Sequence, residues 1–418
     1  MGKKKKKKKN KKKKNIFQND SFHLNSDSKF SVFEVIIIIF IAIVFGVIIG
    51  YLVTYSQSNL QMVRSDSRLK EIMDTYHNIS SNYYKDVDKD KLVDAAVKGM
   101  VESLEDPYSV FLDDNSAGQF NQSVDGTYVG IGIDVSIIDD SIIITDVHED
   151  GSAKKEGVLV GDIVFSVNNV DCRFLTLEGF SDLIQGNVGT RLKMTVKRGN
   201  EKKTFTLTRK TLDLLNVHSD MIQDDMKIGY ISISLFSSNS YEQFEDQLLS
   251  LEKNKIKGLI IDVRDNPGGH LLQARNVLSM FFNKKTVLYQ LESNGLTQKI
   301  YATTKDTRSY PVVLLVNGNT ASAAEVLVSC FQENYKKVHI VGTTTYGKDT
   351  VQKSQNLSTG TSIKFTIQKW LTPKGKRIEG VGIIPDVIVE QSSEYYEDPT
   401  YENDTYIQKA IEFIKESK

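Results

Sequence analysis

The feature that most limits how this chain can fold is an uncharged apolar run at residues 35–53, rich in isoleucine and valine. As an α-helix, this run would be roughly 28 Å long, close to the thickness of the hydrocarbon core of a bilayer. No polar face recurs at helical spacing, which disfavours a helix buried in a soluble core. A cleaved signal peptide is disfavoured because the run is long and the bulky segment Tyr51-Leu-Val-Thr-Tyr55 follows it. The sequence therefore predicts one uncleaved transmembrane helix at residues 34–55.

The charges on either side of this run predict its orientation. Lysine occupies positions 3–9 and 11–14, whereas few basic residues follow the run closely. By the positive-inside rule, residues 1–33 form a cytoplasmic polybasic tail and the body of the chain lies outside the cytoplasm. A lysine run can also bind nucleic acid, but attraction to anionic lipid headgroups, about 1 kcal/mol per lysine, explains it sufficiently. We therefore expect a single-pass cell-membrane protein that binds no nucleic acid.

The rest of the chain changes its hydrophobic pattern twice. Residues 60–125 carry apolar stripes at helical spacing, for which core packing is the default interpretation and a dimer contact is the alternative. Residues 126–211 contain short β-rich segments, one helix near 177–185 and a turn region at 151–157, a pattern typical of a compact, partly open barrel. Residues 212–395 alternate strand and helix, which predicts a layered α/β domain.

The last segment and the cysteines complete this description. Residues 396–418 are expected to end in a short amphipathic helix with Thr405 as its N-cap. The chain has only two cysteines, Cys172 and Cys330, which excludes a disulfide scaffold and a zinc site made of cysteine alone. They fall in separate predicted domains, and we expect both to be buried free thiols.

A serine at the opening of a helix is the first candidate for chemistry. The segment Asn317-Gly-Asn-Thr-Ala-Ser-Ala-Ala-Glu325 follows a predicted buried strand. Ser322 and Glu325 have the spacing of a capping box, which is a purely structural explanation. Alternatively, small neighbours leave backbone amides open at the positive end of a helix. Ser322 could then be a nucleophile, with the amide of Ala323 stabilising an oxyanion.

Such a serine needs a base, and none of the six histidines has an evident partner. A lysine can serve if burial keeps it neutral. Lys348 follows a predicted buried strand and is a candidate. The turn Asp265-Asn-Pro-Gly-Gly269 is either an ordinary tight turn or the source of a second oxyanion amide, from Gly268 or Gly269.

The segment Gly342-x4-Gly347-Lys348 nearly matches a phosphate-binding loop. However, Asp349 stands where serine or threonine should bind magnesium, and the pattern that follows alternates like strands rather than a helix. Nucleotide binding is therefore not expected.

Taken together, these segments resemble the carboxyl-terminal processing (tail-specific) serine peptidases. The match rests on motifs in the order of that family, which span about residues 70–390: Tyr83-Tyr84, Asp106-Pro-Tyr108, Asp262-Val-Arg-Asp-Asn-Pro-Gly-Gly269, Thr320-Ala-Ser-Ala-Ala-Glu325, Gly347-Lys348 with Thr350-Val-Gln352, Trp370-Leu-Thr-Pro-Lys-Gly375 and Gly382-Ile-Ile-Pro-Asp386.

The resemblance implies an α/β fold: a layered (crotonase/ClpP-like) protease core at 212–395 with an inserted PDZ domain at 126–211. It implies a Ser-Lys dyad in which Ser322 attacks the scissile carbonyl, Lys348 moves the proton and Gln352 orients the lysine. The oxyanion amides map to Gly268 and Ala323. The segment implied to receive a peptide tail comprises Tyr128, Val129, Gly130, Ile131, Gly132 and Ile133.

The family resemblance also sets the expected partners. These are protein or peptide substrates with free C-termini and a possible second copy of the chain; no cofactor and no metal are expected. Three residues depart from the family. Gln185 replaces an arginine that couples docking to activation in some relatives, and His270 replaces an apolar or aromatic residue. Asp349 stands where glycine is common, beside the proposed base, and is expected to point away from it. The alternative function is a catalytically inactive PDZ scaffold that binds peptides.

Overall fold

The computed structural model describes residues 21–23, 29–65, 67–223, 227–305 and 307–417. They form two compact units that meet in sequence at residue 93. The expected lysine tail lies mostly outside the described residues. The first unit contains β1 (Ser21–His23), β2 (Lys29–Ser31), α1 (Val32–Ser65), α2 (Ser67–Asn82) and the beginning of α3 (Lys89–Glu102).

Helix α1 contains the apolar run, and its large apolar side chains between Ile36 and Ile49 are exposed. Within the described part of the chain, no helix combines the length and the apolar character that crossing a membrane requires. The expected transmembrane helix therefore stays a prediction.

The apolar stripes of α2 and α3 are largely exposed. No residue of α2 is buried, and Leu69, Ile72 and Met73 remain 40%, 45% and 44% accessible. In α3 the buried residue is Val101, whereas Met100 beside it is exposed. Core packing, the default interpretation of these stripes, is therefore wrong for most of their members within this chain.

The second unit contains the rest of α3, then a short strand, β3 (Val110–Leu112), and a helix, α4 (Asp114–Asp125). Asp113 caps α4 by accepting a hydrogen bond from Ser116 N, and Gly126 ends it with φ +71°. This capped helix lies inside the region 60–125 that was expected to be helical.

The β-rich domain follows as an open sheet. Its elements are β4 (Thr127–Gly130), β5 (Ile133–Ile138), β6 (Ser141–Val147), α5 (Ser152–Glu156), β7 (Ile163–Val167), β8 (Val170–Asp171), α6 (Leu177–Ile184), β9 (Arg191–Arg198), β10 (Glu201–Thr208) and β11 (Lys210–Asp213). The central strands lie in the order β10-β9-β7-β6-β5, and β8 pairs with β7.

One local prediction in this domain is wrong: the expected turn region at 151–157 contains the short helix α5, flanked by Gly151 and Gly157. The β-rich segment at 128–135 is divided between β4 and β5. Gly132, between them, has φ +80°, and a Cβ there would meet the backbone of Gly151 at 2.6 Å. The entering strand β4 pairs with the leaving strand β11, so the domain is joined to the rest by a two-stranded ribbon.

The expected layered α/β core is confirmed, and it is built on a six-stranded sheet. The strands and helices of this domain are β12 (Val217–Gln223), β13 (Ile228–Ile233), α7 (Ser240–Lys253), β14 (Gly258–Asp262), α8 (Leu271–Ser279), β17 (Val312–Val316), α9 (Ala323–Asn334), β18 (Val338–Gly342), β21 (Val387–Ile388), α10 (Ser393–Glu397) and α11 (Thr405–Glu416). The strand order is β12-β13-β14-β17-β18-β21. Strand β12 is antiparallel to β13, and the remaining pairs are parallel.

Helices cover both faces of this sheet because its buried strands carry apolar residues at successive positions. On β14, Leu259 and Ile261 pack with α7, α8 and α9. The intervening Ile260 packs on the opposite face with Ile407 and Ile411 of α11. Helix α11 is capped by Asp404, whose side chain accepts from the N–H groups of residues 406 and 407; the prediction that Thr405 is the cap is therefore wrong by one residue.

A second sheet contains β15 (Val287–Ser293), β16 (Leu296–Tyr301), β19 (Thr350–Asn356) and β20 (Ser362–Leu371). Their order is β16-β15-β20-β19, and β3 pairs with β20. Strands rather than a helix follow Lys348, as expected when nucleotide binding was set aside. Cys172 and Cys330 are free and buried, which confirms the expectation for both.

Candidate active site

Ser322 lies where the buried strand β17 gives way to helix α9. Its backbone is in a rare conformation for a residue with a side chain, φ +54° and ψ −117°, which costs about 1–3 kcal/mol and is typical of functional turns. Neighbouring contacts hold the turn in place. Ala321 N donates to Asn266 O at 2.9 Å, and Thr320 Oγ1 donates to Val263 O at 2.7 Å.

A buried carboxylate joins this turn to the loop that carries Lys348. Glu325 Oε2 accepts from Ser322 N at 2.8 Å and from Lys348 N at 2.9 Å. Glu325 Oε1 accepts from Thr345 Oγ1 at 2.6 Å and from Gly347 N at 2.7 Å. The carboxylate half of the expected capping box is therefore present, but the same group also fixes a second loop, far away in sequence. Burial raises the pKa of Glu325, against the effect of these four hydrogen bonds.

Lys348 is half-buried between β18 and β19. Its Nζ lies 4.6 Å from the centroid of the Tyr108 ring. Burial lowers the pKa of Lys348, and the positive charge of Lys364 lowers it further, whereas Asp106 and Glu325 act in the opposite direction. The environment therefore favours the neutral amine relative to a lysine in water.

Ser322 and Lys348 line one cavity of about 580 Å³. Within the described residues, no hydrogen bond joins Ser322 Oγ to Lys348 Nζ. The cavity also contains His270, Gln352 and Lys364. Lys364 is partly buried beneath the Phe120 ring, with Nζ 5.1 Å from the ring centroid, and burial lowers its pKa. The cavity wall thus carries two lysines, both with lowered pKa values, and none of its lining residues is acidic.

Gln352 does not bind Lys348 directly. Its Nε2 donates to Thr350 Oγ1 at 2.8 Å and to Thr366 Oγ1 at 3.2 Å. Thr366 Oγ1 in turn donates to Asp106 Oδ2 at 2.6 Å. The residue expected to orient the lysine is therefore in the same cavity, but its amide N–H groups are held by two threonines.

The expected oxyanion amides lie beside Ser322. A side chain at Gly268, which has φ +106°, would place its Cβ 2.8 Å from Ser322 Cβ and 2.9 Å from Ala323 N. In the described part of the chain, Ala323 N has no hydrogen-bond acceptor, whereas Gly268 N donates to Asn266 Oδ1 at 2.8 Å. Ala323 N is thus available to a ligand, and Gly268 N is engaged within the turn. Gly269, which follows, lines the cavity.

Two residues that depart from the family pattern also have defined places. His270 lines the cavity, and its Nε2 lies 3.3 Å from Ser238 Oγ. Asp349 is fully buried, and neither carboxylate oxygen has a hydrogen-bond partner among the described residues. Burial raises the pKa of Asp349, and Glu379 raises it further. The expectation that Asp349 points away from Lys348 stays a prediction.

The segment expected to receive a peptide tail lines a groove of about 1070 Å³ in the β-rich domain. Strand β5 is at the edge of the sheet, and residues 177–186, from α6 onward, line the groove with it. All six expected residues lie in its wall: Tyr128, Val129, Gly130, Ile131, Gly132 and Ile133.

The end of α6 is held by an arginine from elsewhere in the sequence. Arg209 is buried; its Nε donates to Ile184 O at 2.6 Å and its Nη2 to Leu183 O at 3.0 Å. A side chain at Gly186 would meet Arg209 Nε at 2.9 Å. The guanidinium therefore occupies the place next to Gln185, although its residue lies in the connection between β10 and β11.

Helix α4 forms a wall shared by the groove and the cavity. One set of its residues lines the groove: Asp114, Asn115, Gly118, Gln119 and Gln122. A different set lines the cavity that contains Ser322: Phe120, Ser123 and Val124. The two compartments therefore lie on opposite faces of a three-turn helix.

Comparison with known proteins agrees with this arrangement. Residues 227–389 match the model of peptidase family S41, residues 143–198 match a PDZ domain, and residues 52–116 match the N-terminal domain of the activating protease CtpB. The carboxy-terminal processing protease CtpA of Bacillus subtilis is 35% identical over 78% of this chain and 70% of the relative. The chain belongs to peptidase family S41.

Two further similarities are to proteins named as processing proteases. The carboxy-terminal processing protease CtpB of Bacillus subtilis is 36% identical over 78% of this chain and 68% of the relative. A solved structure of the photosystem II D1 C-terminal processing protease covers 77% of this chain and 86% of its own, with 24% identity and a TM-score of 0.45. The family matches and the two Bacillus relatives make this chain a serine protease of family S41 with a PDZ domain of its own.

Sequence reasoning missed several residues around the cavity of this S41 protease. Glu325 was interpreted only as a cap, although its carboxylate also binds the loop of Lys348. Lys364 was not singled out, but it lies two positions before Thr366 on strand β20, so the alternation of the strand indicated a shared face. Asp106 was noticed as part of a motif, and the structure links it through Thr366 to Gln352.

Proposed function

We propose that this chain is an endopeptidase that uses Ser322 and Lys348 as a catalytic dyad. The observation that carries the proposal is the Glu325 carboxylate, which binds the backbone of both residues and so sets the two loops against one cavity. The lowered pKa of Lys348 supports a role as a base, because burial raises the fraction of neutral amine.

In the proposed reaction, the neutral Lys348 amine takes the proton of Ser322 Oγ as that oxygen attacks the scissile carbonyl. The C–N bond then breaks, and the resulting ammonium gives its proton to the leaving amine. Water then attacks the acyl-enzyme while Lys348 takes its proton, and Lys348 returns a proton to Ser322 Oγ as the ester bond breaks. The absence of a direct Ser322–Lys348 hydrogen bond among the described residues is compatible with this sequence, because catalytic hydrogen bonds often tighten only with substrate.

The oxyanion of the tetrahedral intermediate is proposed to bind Ala323 N, which is free and lies at the N-terminal end of α9. A second donor requires a small change in the turn at 265–269. Either Gly268 N leaves Asn266 Oδ1 when substrate binds, or Gly269 N serves in its place. An Asn266→Ala variant frees Gly268 N, and it also removes the hydrogen bond from Asn266 Nδ2 to Ile233 O. Faster cleavage by this variant would favour Gly268 N as the second donor.

The PDZ groove is proposed to hold the C-terminal tail of the substrate. Strand β5 has a free edge to which an extended peptide can add by backbone hydrogen bonds. The glycine-containing segment from Tyr128 to Ile133 is proposed to receive the terminal carboxylate. Cleavage would then occur in the cavity on the other side of α4.

We further propose that α1 anchors the chain in the cytoplasmic membrane, with the N-terminus in the cytoplasm and the protease core outside. The uncharged run, its exposed apolar side chains and the lysines before it support this topology. Labelling of single cysteines placed at residue 5 or residue 400 in intact cells tests it. We expect a membrane-impermeant reagent to label the cysteine at residue 400 and not the one at residue 5. The opposite pattern would refute the topology.

Cleavage by the full-length chain in detergent tests the dyad. We expect the wild type to cleave an unfolded protein, and Ser322→Ala and Lys348→Ala to be inactive while keeping their thermal stability. Lys353→Ala, an exposed lysine on β19, is the matched control and should keep full activity. Equal cleavage by all four proteins would exclude the dyad. Peptide binding without cleavage by the wild type would support the alternative of an inactive scaffold.

A further inference from the structure

Three side chains with metal-ligand chemistry meet on the β5–β6 hairpin of the PDZ domain, away from the proposed dyad. Asp134 on β5 and Asp146 on β6 are directly opposed in the antiparallel register. Like charges in that position destabilise a strand pair, so a cation bound between them would be stabilising. His148 follows β6, and its imidazole faces both carboxylates.

The distances suit a shared cation. His148 Nε2 is 3.1 Å from Asp134 Oδ1 and 3.9 Å from Asp146 Oδ2. One ligand atom from each of the three residues lies within 4.8 Å of the others. Ligands that bind zinc at about 2.0–2.2 Å lie roughly 3–3.5 Å apart. Small side-chain rotations of the two exposed aspartates therefore complete a three-ligand site without movement of the backbone.

A tyrosine holds the other side of the imidazole. Tyr128 Oη lies 3.2 Å from His148 Nδ1, and the His148 backbone N–H donates to Gly132 O at 3.1 Å. When Nδ1 carries the proton and donates it to the phenol oxygen, the lone pair of Nε2 points toward the carboxylates. Metal-bound histidines are usually oriented by such a hydrogen bond on the opposite ring nitrogen.

We propose that Asp134, Asp146 and His148 bind a divalent transition-metal cation such as Zn²⁺, with Tyr128 as the residue that orients the histidine. One imidazole and two carboxylates suit zinc, cobalt or manganese better than magnesium or calcium, which favour oxygen ligands alone. The ion cancels the two negative charges opposed across the hairpin. The site takes no part in the Ser322–Lys348 reaction, so its test is independent of the proposed function.

Calorimetry on the untagged full-length chain in detergent tests the site, after treatment with a chelator and desalting. We expect one Zn²⁺ to bind per chain at pH 7.5, and Co²⁺ to give visible absorption bands that Zn²⁺ displaces and Mg²⁺ does not. His148→Ala should abolish this binding. Tyr128→Phe removes only the hydrogen bond to Nδ1 and should weaken binding by about 10- to 100-fold.

Two further variants keep the test decisive. His218→Ala removes an exposed histidine from β12 in the protease core and should leave binding unchanged. Asp146→Asn preserves the shape of the hairpin and should still weaken binding at least tenfold, so the result does not depend on the folding of His148→Ala. Equal zinc binding by the wild type and by both hairpin variants overturns the proposal. No binding at millimolar zinc also overturns it.

Discussion

Replacement of Glu325 by glutamine tests whether one buried carboxylate positions both halves of the proposed dyad. Each of its two oxygens accepts two hydrogen bonds. Glutamine keeps one acceptor oxygen and turns the other into an NH₂ donor. If that NH₂ faces Ser322 N and Lys348 N, two N–H groups lose their acceptor; if it faces the other pair, Thr345 can reverse its hydroxyl and only Gly347 N is left without one.

The expected loss of stability follows from these alternatives. A buried donor without an acceptor costs about 1–3 kcal/mol. The loss is partly offset because glutamine removes a buried charge, and burial is the factor that raises the pKa of Glu325. We therefore expect Glu325→Gln to lower the free energy of unfolding by about 1–3 kcal/mol. We expect a larger effect on kcat/KM, about 100-fold, because a small misplacement of reacting groups is that costly.

The chain supplies its own probe for this measurement. Its single tryptophan, Trp370, is fully buried, and its Nε1 donates to Lys348 O at 2.9 Å. Urea unfolding followed by tryptophan fluorescence therefore reports on the loop that Glu325 holds. Peptide cleavage by the same preparations gives kcat/KM.

Glu333→Gln is the matched control, since Glu333 lies on the same helix and accepts from Thr372 Oγ1 at 3.1 Å and Lys374 N at 2.7 Å. It is only half-buried and does not line the cavity. We expect it to lower stability by less than about 1 kcal/mol and to leave kcat/KM unchanged. The role assigned to Glu325 is refuted if its glutamine variant matches the wild type in both stability and kcat/KM.

Three further substitutions follow from the same structure. Lys364→Met removes a positive charge that lowers the pKa of Lys348, so the acidic limb of the kcat/KM profile should move to higher pH; an unchanged limb contradicts this. Asp349 has a raised pKa in the folded state, so its stabilising contribution is present below the ordinary value of 3.8 and is lost as the pH rises through the folded value. Asp349→Asn should therefore melt at a higher temperature than the wild type at pH 8, with a difference that shrinks toward pH 4, and a constant difference would show that the charge is not its cause. Gly268→Ala places a Cβ 2.8 Å from Ser322 Cβ and should reduce kcat/KM by about 100-fold with a modest loss of melting temperature, whereas full activity would remove this turn from the site.

The hydrophobic pattern was enough to predict most of the α/β core. Its strands are short, continuous apolar runs, and they are separated by helices whose apolar residues recur with a 3.6-residue period. The hairpin of β15 and β16 was missed although its signal was present. Asn294 and Gly295 both have positive φ, and the Asn-Gly pair is the strongest short-range indicator of such a turn. The short helix α5 was missed for the opposite reason, since its flanking glycines favour a turn by local rules.

The candidate site shows a different limit of sequence reasoning. The family resemblance predicted that Ser322, Lys348 and Gly268 share one site. In the structure each follows the carboxyl end of a strand of one parallel sheet: β17, β18 and β14 respectively. The hydrogen-bond partners could not be predicted. Gln352 Nε2 donates to Thr366 Oγ1, and Gly268 N donates to Asn266 Oδ1. Both hydrogen bonds depend on side-chain positions that tertiary packing sets.

The double-sided placement of α4 has a pharmacological consequence. An α-helix with its side chains is only about 10–12 Å across. A compound bound in the groove against Gln119 is therefore about one helix diameter from Phe120 and from the Lys364 amine next to its ring. Such a compound need not resemble a scissile peptide, because it binds outside the cavity that contains Ser322. Drug screens that monitor only the cavity containing Ser322 would overlook ligands of the PDZ groove.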